Sequence, residues 1–158
     1  MDRNTQITRK GHQRAVKADT KTEADVMNVI KESFEAFAKR DIDAVLSFFA
    51  PDPDAVLIGT GRDEKCIGLT ETKVILERAF AQFKDASFEL GWHSVPAAGS
   101  VAFVVADVIL HIKTSEREMS EQVRLTAALE RRGNKWLIIQ WHDSLPAAGQ
   151  KEGQAFAI

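Results

Sequence analysis

The sequence predicts an α+β domain in which two or three helices pack on one face of a curved antiparallel sheet. Between residues 22 and 83, apolar side chains recur at every third or fourth position, which is typical of amphipathic helices. After Lys84 the spacing changes to every second residue, which is typical of strands. Helices followed by strands favour the α+β class, and 158 residues suffice for one such domain with a real core.

Three helices are predicted from their caps and apolar spacing. The first begins near Thr22. The second covers 41–49, because Asp41 is a favourable N-cap residue and Pro51 ends the segment. The third covers 70–83. The apolar face of the first helix consists of Val26, Val29, Ile30, Phe34 and Phe37.

The strands are predicted from alternation and from the glycines and prolines that separate them. Two short strands lie at 55–60 and around Cys66-Ile67, with a glycine-rich turn between them. Residues 96–100 form a turn. The longer strands form an antiparallel meander over 87–95, 101–114, 120–131 and 135–144.

The tight turn Gly133-Asn134 sets the pairing of the last two strands. A two-residue hairpin there, continued as a regular ladder, places Arg124 opposite Asp143 and Thr126 opposite Trp141. A slip of one residue would move every side chain of the last strand to the other face.

The preceding hairpin is predicted to place Asp107 opposite Arg124. Asp107, Arg124 and Asp143 then form a row across three strands, with one arginine between two carboxylates in a mostly apolar surface. Buried charges need such partners. His142 is predicted on the opposite face of the sheet, beside Leu125.

Both faces of the predicted sheet are rich in apolar residues, which is unusual for an antiparallel sheet in a monomer. Helices can cover only one of them. The simplest cover for the other is a second copy of the chain, so we predict a homodimer. We expect Gln140, His142 and Ser144 to face away from Trp141 and Asp143 and to help form the dimer contact.

Several segments resemble the SnoaL-like family of the nuclear transport factor 2-like, or ketosteroid-isomerase-like, superfamily. They are FFAPDPDAVLIGTG at 48–61, RLT at 124–126, GNKW at 133–136 and HDSLP at 142–146. The resemblance covers about residues 22–154 and implies a cystatin-like cone with a cavity. The SnoaL-like domain is expected at 22–146. It follows a segment at 1–21 that is a basic polar arm by composition, and it precedes a tail at 147–158.

The resemblance is less informative about function, because this fold serves isomerases, cyclases, dehydratases, binding modules and assembly domains. A ketosteroid isomerase of this fold would need a tyrosine and a protonated acid as oxyanion donors. This chain contains no tyrosine. A predicted Arg124 neighbour would also keep Asp107 ionised, which is the wrong state for a donor. The sequence therefore argues against that mechanism.

Two functional hypotheses follow. The first is a small-molecule-binding module, whose cone-shaped cavity holds an apolar ligand or one with a carboxylate that pairs with Arg124. The second is an enzyme of the isomerase, dehydratase or cyclase type that uses Asp107 or His142 for proton transfer. Arg62, Asp63 and Glu64 are placed at the cavity mouth. The predicted ligand-binding residues are Asp107, Arg124, Thr126, Trp141 and Asp143.

Composition and charge argue against other classes of function. The net charge of −2 gives no global attraction to nucleic acid or membranes, and the arm at 1–21 has no aromatic residue to stack on bases. The four histidines lack the spacing of a metal site, so we expect no metal and no cofactor. The single cysteine, Cys66, suits a reducing compartment and predicts a cytoplasmic protein.

Overall fold

The computed structural model describes residues 15–156, so residues 1–14 of the predicted basic arm lie outside the described part. Three helices pack on one face of an eight-stranded sheet, which confirms the predicted α+β class. The helices are α1 (Thr20–Ala38), α2 (Ile42–Ser47) and α3 (Gly68–Gln82). The strands are β1 (Val16–Lys17), β2 (Val56–Ile58), β3 (Lys65–Ile67), β4 (Asp85–Ser94), β5 (Pro96–Ala98), β6 (Val101–Lys113), β7 (Glu118–Arg132) and β8 (Lys135–Ser144).

The strand order is β1-β5-β6-β7-β8-β2-β3, and β4 pairs with the same edge of β6 as β5 does. All neighbours are antiparallel except β2 and β8, which run parallel. Through this parallel pair, the short β2–β3 hairpin is added to the sheet beside β8, the last strand of the meander. The sequence did not predict β1 or β5, which are too short to show a recognisable alternation.

Side-chain caps begin the first two helices. Asp19 accepts a hydrogen bond from the backbone N–H of Thr22 at 2.9 Å, so α1 begins slightly earlier than predicted. Asp41 accepts one from the backbone N–H of Ala44 at 2.9 Å, which confirms the predicted cap of α2. These carboxylates satisfy N–H groups that would otherwise lack partners at the helix ends.

The core lies between α1 and one face of the sheet. Val26 and Ile30 of α1 are completely buried. They meet the face of β6 and β7 that carries Ala102, Val104, Ala106, Val108, Leu125, Ala127 and Leu129. We call this the helix-covered face.

The opposite face of the sheet has no helix on it in the described part of the chain, and we call it the open face. Phe103 and Val105 are 42% and 41% exposed there, although both are large and apolar. Asp107 of β6 pairs with Arg124 of β7 on this face, which confirms the predicted register of these two strands. Thr126 lies beside them and is exposed.

A β-bulge in β8 changes the register that the sequence predicted. The ladder from the hairpin is regular as far as the pair Leu129 and Ile138. The next pair is Ala128 and Gln140, so Ile139 is an extra residue without a partner in β7. A bulge of this kind reverses the faces of all the residues that follow it.

The predicted pairs of Arg124 with Asp143 and Thr126 with Trp141 are therefore wrong. Arg124 lies opposite Ser144, and Thr126 lies opposite His142. His142 is exposed on the open face, and the prediction that it shares a face with Leu125 is wrong as well.

A second bulge lies in β4. Leu90 pairs with Val108, but His93 pairs with Ala106. Two residues of β4, Gly91 and Trp92, therefore lie opposite the single residue Asp107 of β6. Alternation along 87–95 predicts Phe88, Leu90 and Trp92 on one face of the sheet. The bulge makes this prediction wrong for Trp92, which is 62% exposed and does not share the face of Leu90.

In the described part of the chain, no helix combines the length and apolar character needed to cross a membrane. The cytoplasmic location expected from the sequence stays a prediction.

Candidate functional site

A cavity of about 220 Å³ lies between the helices and the helix-covered face of the sheet. Its walls are mostly apolar and come from all three helices and from β2, β4, β6, β7 and β8. The volume lies below the roughly 300–1,000 Å³ of common ligand pockets, so it suits a molecule of about one or two rings. The aliphatic lining residues are Val45, Leu57, Ile75, Leu76, Val108, Leu110 and Val123.

Aromatic rings form one wall of this cavity. Phe34 of α1 stacks on Phe88 of β4 with 4.3 Å between ring centroids. Trp141 of β8 meets the edge of Phe34 at 5.9 Å, and Phe37 meets Phe88 at 5.6 Å. Contacts between rings in these arrangements add stability beyond the area they bury, so this wall is held in place before any ligand enters.

Asp143 is the carboxyl group that β8 places in the apolar cavity. Burial raises its pKa from the ordinary aspartate value of 3.8 to about 7, because the charged form loses its hydration. The indole N–H of Trp141 donates a hydrogen bond to Oδ2 of Asp143 at 2.8 Å, which opposes part of this rise. The negative charge of Glu64 raises the pKa further.

Glu64 lines the cavity from the β2–β3 turn, which is built around its side chain. Its carboxylate accepts a hydrogen bond from the backbone N–H of Gly61 at 2.8 Å. A Cβ atom at Gly59 or at Gly61 would meet the side chain of Glu64, so a substitution at either position would displace this carboxylate from where it lies. Arg78 of α3 pairs with Glu64 at 3.1 Å and also holds the neighbouring Asp63.

Two hydroxyl groups of the lining are already engaged with the backbone. Ser33 donates to the carbonyl of Ile30 at 2.7 Å, and Thr72 donates to the carbonyl of Gly68 at 3.0 Å. Asp143 is therefore the polar group of this wall that is best placed to exchange a proton with a ligand.

The SnoaL-like domain family matches residues 26–148, which is most of the chain. The chain belongs to the SnoaL-like family. No curated protein matches its sequence.

Several solved structures share the fold of this SnoaL-like protein. A nuclear transport factor 2-like (NTF2-like) protein of unknown function from Pseudomonas putida KT2440 is 23% identical, with a TM-score of 0.70 over 81% of this chain and 89% of that one. A candidate dehydratase of the NTF2-like family from Streptomyces avermitilis is 17% identical, with a TM-score of 0.74 over 82% and 100%. An NTF2-like superfamily protein from Salmonella enterica is 14% identical, with a TM-score of 0.76 over 88% and 100%. At these identities the likeness shows the fold alone.

In this SnoaL-like domain, the residues predicted for ligand binding lie on two different faces of the sheet. Trp141 and Asp143 line the cavity. Asp107, Arg124 and Thr126 are exposed on the open face, which is the other side of the sheet. The physical reason is the bulge at Ile139, which turns Trp141 and Asp143 toward the helices.

The predicted row of Asp107, Arg124 and Asp143 does not form. Asp143 lies across the sheet from the other two, and no salt bridge joins Asp107 to Arg124 within residues 15–156. The guanidinium of Arg124 instead donates to the carbonyl of Leu145 at 3.2 Å.

The sequence pattern predicted some of the other cavity residues. Phe34 and Phe37 were expected on the apolar face of the first helix, and Glu64 was expected at the cavity mouth. No sequence signal identified the bulge, so the partnership of Asp143 with this aromatic wall could not be predicted. Within residues 15–156, no group of three or more His, Cys, Asp or Glu side chains has the arrangement of a metal site.

We expect Asp143 to titrate with a pKa of about 7 in the folded protein. Removing the nearby negative charge by Glu64→Gln should lower that pKa, since less repulsion then opposes ionisation. Carbon-13 NMR of labelled aspartate carboxyl groups would follow the titration, with Asp143→Asn to assign the signal. Glu116→Gln, a change in the exposed β6–β7 turn, should leave the titration unchanged. An Asp143 signal that titrates near 4 would contradict this description of the site.

Proposed function

We propose that this SnoaL-like protein binds a small, uncharged and mainly apolar molecule in the cavity and that Asp143 transfers a proton to or from it. The observation that carries the proposal is the placement of the Asp143 carboxyl group in an aromatic cavity, where burial raises its pKa to about 7. A group with a pKa near the working pH serves best as a general acid or base, because both of its forms are available. Shifted pKa values of this kind mark candidate functional sites.

The charge of the cavity favours a neutral ligand over an anionic one. Glu64 and Asp143 are the ionisable groups among the described lining residues, and both are acidic. Arg78 approaches from outside the cavity and is occupied by Asp63 and Glu64. A ligand carboxylate would meet like charge here, and Arg124 lies on the other face of the sheet. This favours the apolar ligand over the carboxylate ligand that the sequence also suggested.

The reaction class that fits these groups is proton transfer at a carbon atom, as in an isomerase or dehydratase. Asp143 in its ionised form would remove a proton from carbon next to a carbonyl group and would return it after the double bond has moved. Asp107 and His142, the residues that the sequence suggested for this role, lie outside the cavity. The similarity to a candidate dehydratase supports the same class by fold analogy alone.

Exchange of the activated protons of 2-tetralone in D₂O tests this proposal, since this ketone is neutral, has two fused rings and carries acidic carbon-bound hydrogens. Proton NMR would follow the exchange rate at pH near 7. We expect the protein to accelerate exchange over buffer and Asp143→Asn to reduce the acceleration by about 100-fold or more, as is typical for loss of a general base. Asp107→Asn and His142→Ala should retain it, because both residues lie on the open face.

Binding of 2-tetralone is measured in parallel by quenching of tryptophan fluorescence. If Asp143→Asn binds the ketone and exchanges its protons as fast as the unaltered protein does, the catalytic role of Asp143 is wrong. If the ketone binds but the unaltered protein gives no acceleration, a binding module without catalysis remains. If it does not bind at all, the proposal of a small neutral ligand fails for this probe.

We also propose that the open face is covered by a second copy of the chain, which gives a homodimer. Trp92, Phe103 and Val105 present a large apolar surface there, and such surfaces on a single domain mark interaction sites. Asp107 and Arg124 add one acidic and one basic group at its centre. In a two-fold arrangement each copy would offer its Arg124 to the Asp107 of its partner, so the charges are complementary.

We expect analytical ultracentrifugation to find a dimer and Val105→Lys to convert it to a monomer, because a charge would then be buried in the contact. The matched control is Val74→Lys. Val74 is a valine of α3 that is 59% exposed and lies away from the open face, so this variant should stay dimeric. A monomeric unaltered protein at micromolar concentration would contradict the proposal.

A further inference from the structure

Three side chains on the open face form a hydrogen-bonded line across three strands. His111 of β6 lies directly opposite Ser120 of β7, and its Nδ1 is 2.7 Å from the hydroxyl oxygen of Ser120. The other ring nitrogen, Nε2, is 2.9 Å from a carboxylate oxygen of Glu89 in β4. The line is therefore serine, histidine and glutamate, with the imidazole in the middle.

The chemistry of the three groups fixes the direction of both hydrogen bonds. An ionised carboxylate can only accept, so Nε2 of His111 carries the hydrogen and donates it to Glu89. In the neutral ring, Nδ1 is then the acceptor, and the hydroxyl of Ser120 donates to it. This is the arrangement that activates a serine, because the base that takes its proton is held in the correct tautomer by an acid.

The line borders a depression of about 330 Å³ that is separate from the cavity of Asp143. Ser87 and Lys113 line this depression together with His111 and Ser120. Lys113 pairs with Glu118 at 2.7 Å, which places an ammonium group at the same end of the sheet. The depression is polar, and His111 lies four residues along β6 from Asp107, about 13 Å at roughly 3.3 Å per strand residue and on the side away from Phe103.

We propose that Ser120 is a nucleophile that accepts acyl groups from small activated esters, with His111 as its base and Glu89 as the positioning residue. The oxygen of Ser120 attacks the acyl carbon while its proton moves to Nδ1 of His111. The ester C–O bond then breaks, and the alcohol leaves with that proton. Water attacks the acyl-serine next, its proton passes through His111 to the oxygen of Ser120, and the carboxylic acid is released.

The exposure of the line limits the class of substrate. The side chains of His111 and Glu89 are 37% and 68% exposed, so water weakens their interaction. Lys113 and the hydroxyl of Ser87 are the groups of the depression that can stabilise negative charge on the acyl oxygen. A site of this kind suits esters with good leaving groups and acyl chains short enough for the depression.

The experiment is acetylation by p-nitrophenyl acetate, followed by release of p-nitrophenolate and by mass spectrometry of peptides from the trapped protein. We expect an acetyl group on Ser120 and an initial burst of about one nitrophenolate per chain. Ser120→Ala should abolish this burst, and His111→Gln should slow it by about 100-fold. Ser100→Ala is the matched control, because it removes an exposed serine hydroxyl in the turn between β5 and β6, away from the line, and it should keep the burst.

Glu89→Gln separates a positioning role from a structural one. It should reduce the burst rate by about tenfold, since the amide no longer holds the imidazole with a charge-assisted hydrogen bond, and Glu89→Asp should restore part of that rate. The altered residues are on the sheet surface, and circular dichroism would verify that each variant is folded. Acetylation only of lysines, or a burst in Ser120→Ala equal to that of the unaltered protein, would overturn the proposal.

Discussion

One unpaired residue in the last strand, Ile139, determines which side chains of β8 enter the cavity. On the N-terminal side of Ile139, Trp136 and Ile138 face the helices. On its C-terminal side, Trp141 and Asp143 face the helices, and His142 faces outward. A regular strand would place His142 on the face of Ile138 and would expose Asp143. The bulge therefore exchanges a histidine for an aspartate in the wall of the cavity, and the chemistry of the site depends on that exchange.

The groups around Asp143 then set its protonation. Apolar walls remove the water that would stabilise the carboxylate, and the indole of Trp141 supplies one hydrogen bond in return. Glu64 opposes ionisation from the cavity mouth, where two glycines make room for it and Arg78 holds it. Glu64 of the β2–β3 turn thus acts on the Asp143 carboxyl group through its charge.

Local signals predicted much of the fold. The three helices, the cap at Asp41, the β6–β7 register and the long strands follow from spacing and caps, because these features depend on near neighbours in the chain. The bulge depends on distant contacts, since β8 must pair with β7 and with β2 while it keeps Trp136, Ile138 and Trp141 buried. Alternation read along β8 alone could not give that result. Trp141 and Asp143 were nevertheless expected at a cavity together, because they lie two residues apart.

The chemistry of the site depends on Asp143 being a desolvated carboxyl group in the folded protein. Its folded-state pKa, about 7, lies above the ordinary value of 3.8, so the folded state binds the proton more tightly than the unfolded chain does. Stability should therefore fall as pH rises from about 4 to about 7 and then level off, with roughly 4 kcal/mol as the upper limit. Asp143→Asn removes this dependence.

The deciding measurement is the free energy of unfolding in urea of both proteins across that pH range. We predict that Asp143→Asn gains stability relative to the unaltered protein as pH rises to about 7. A difference that stays constant over this range, or that changes in the opposite direction, would contradict it.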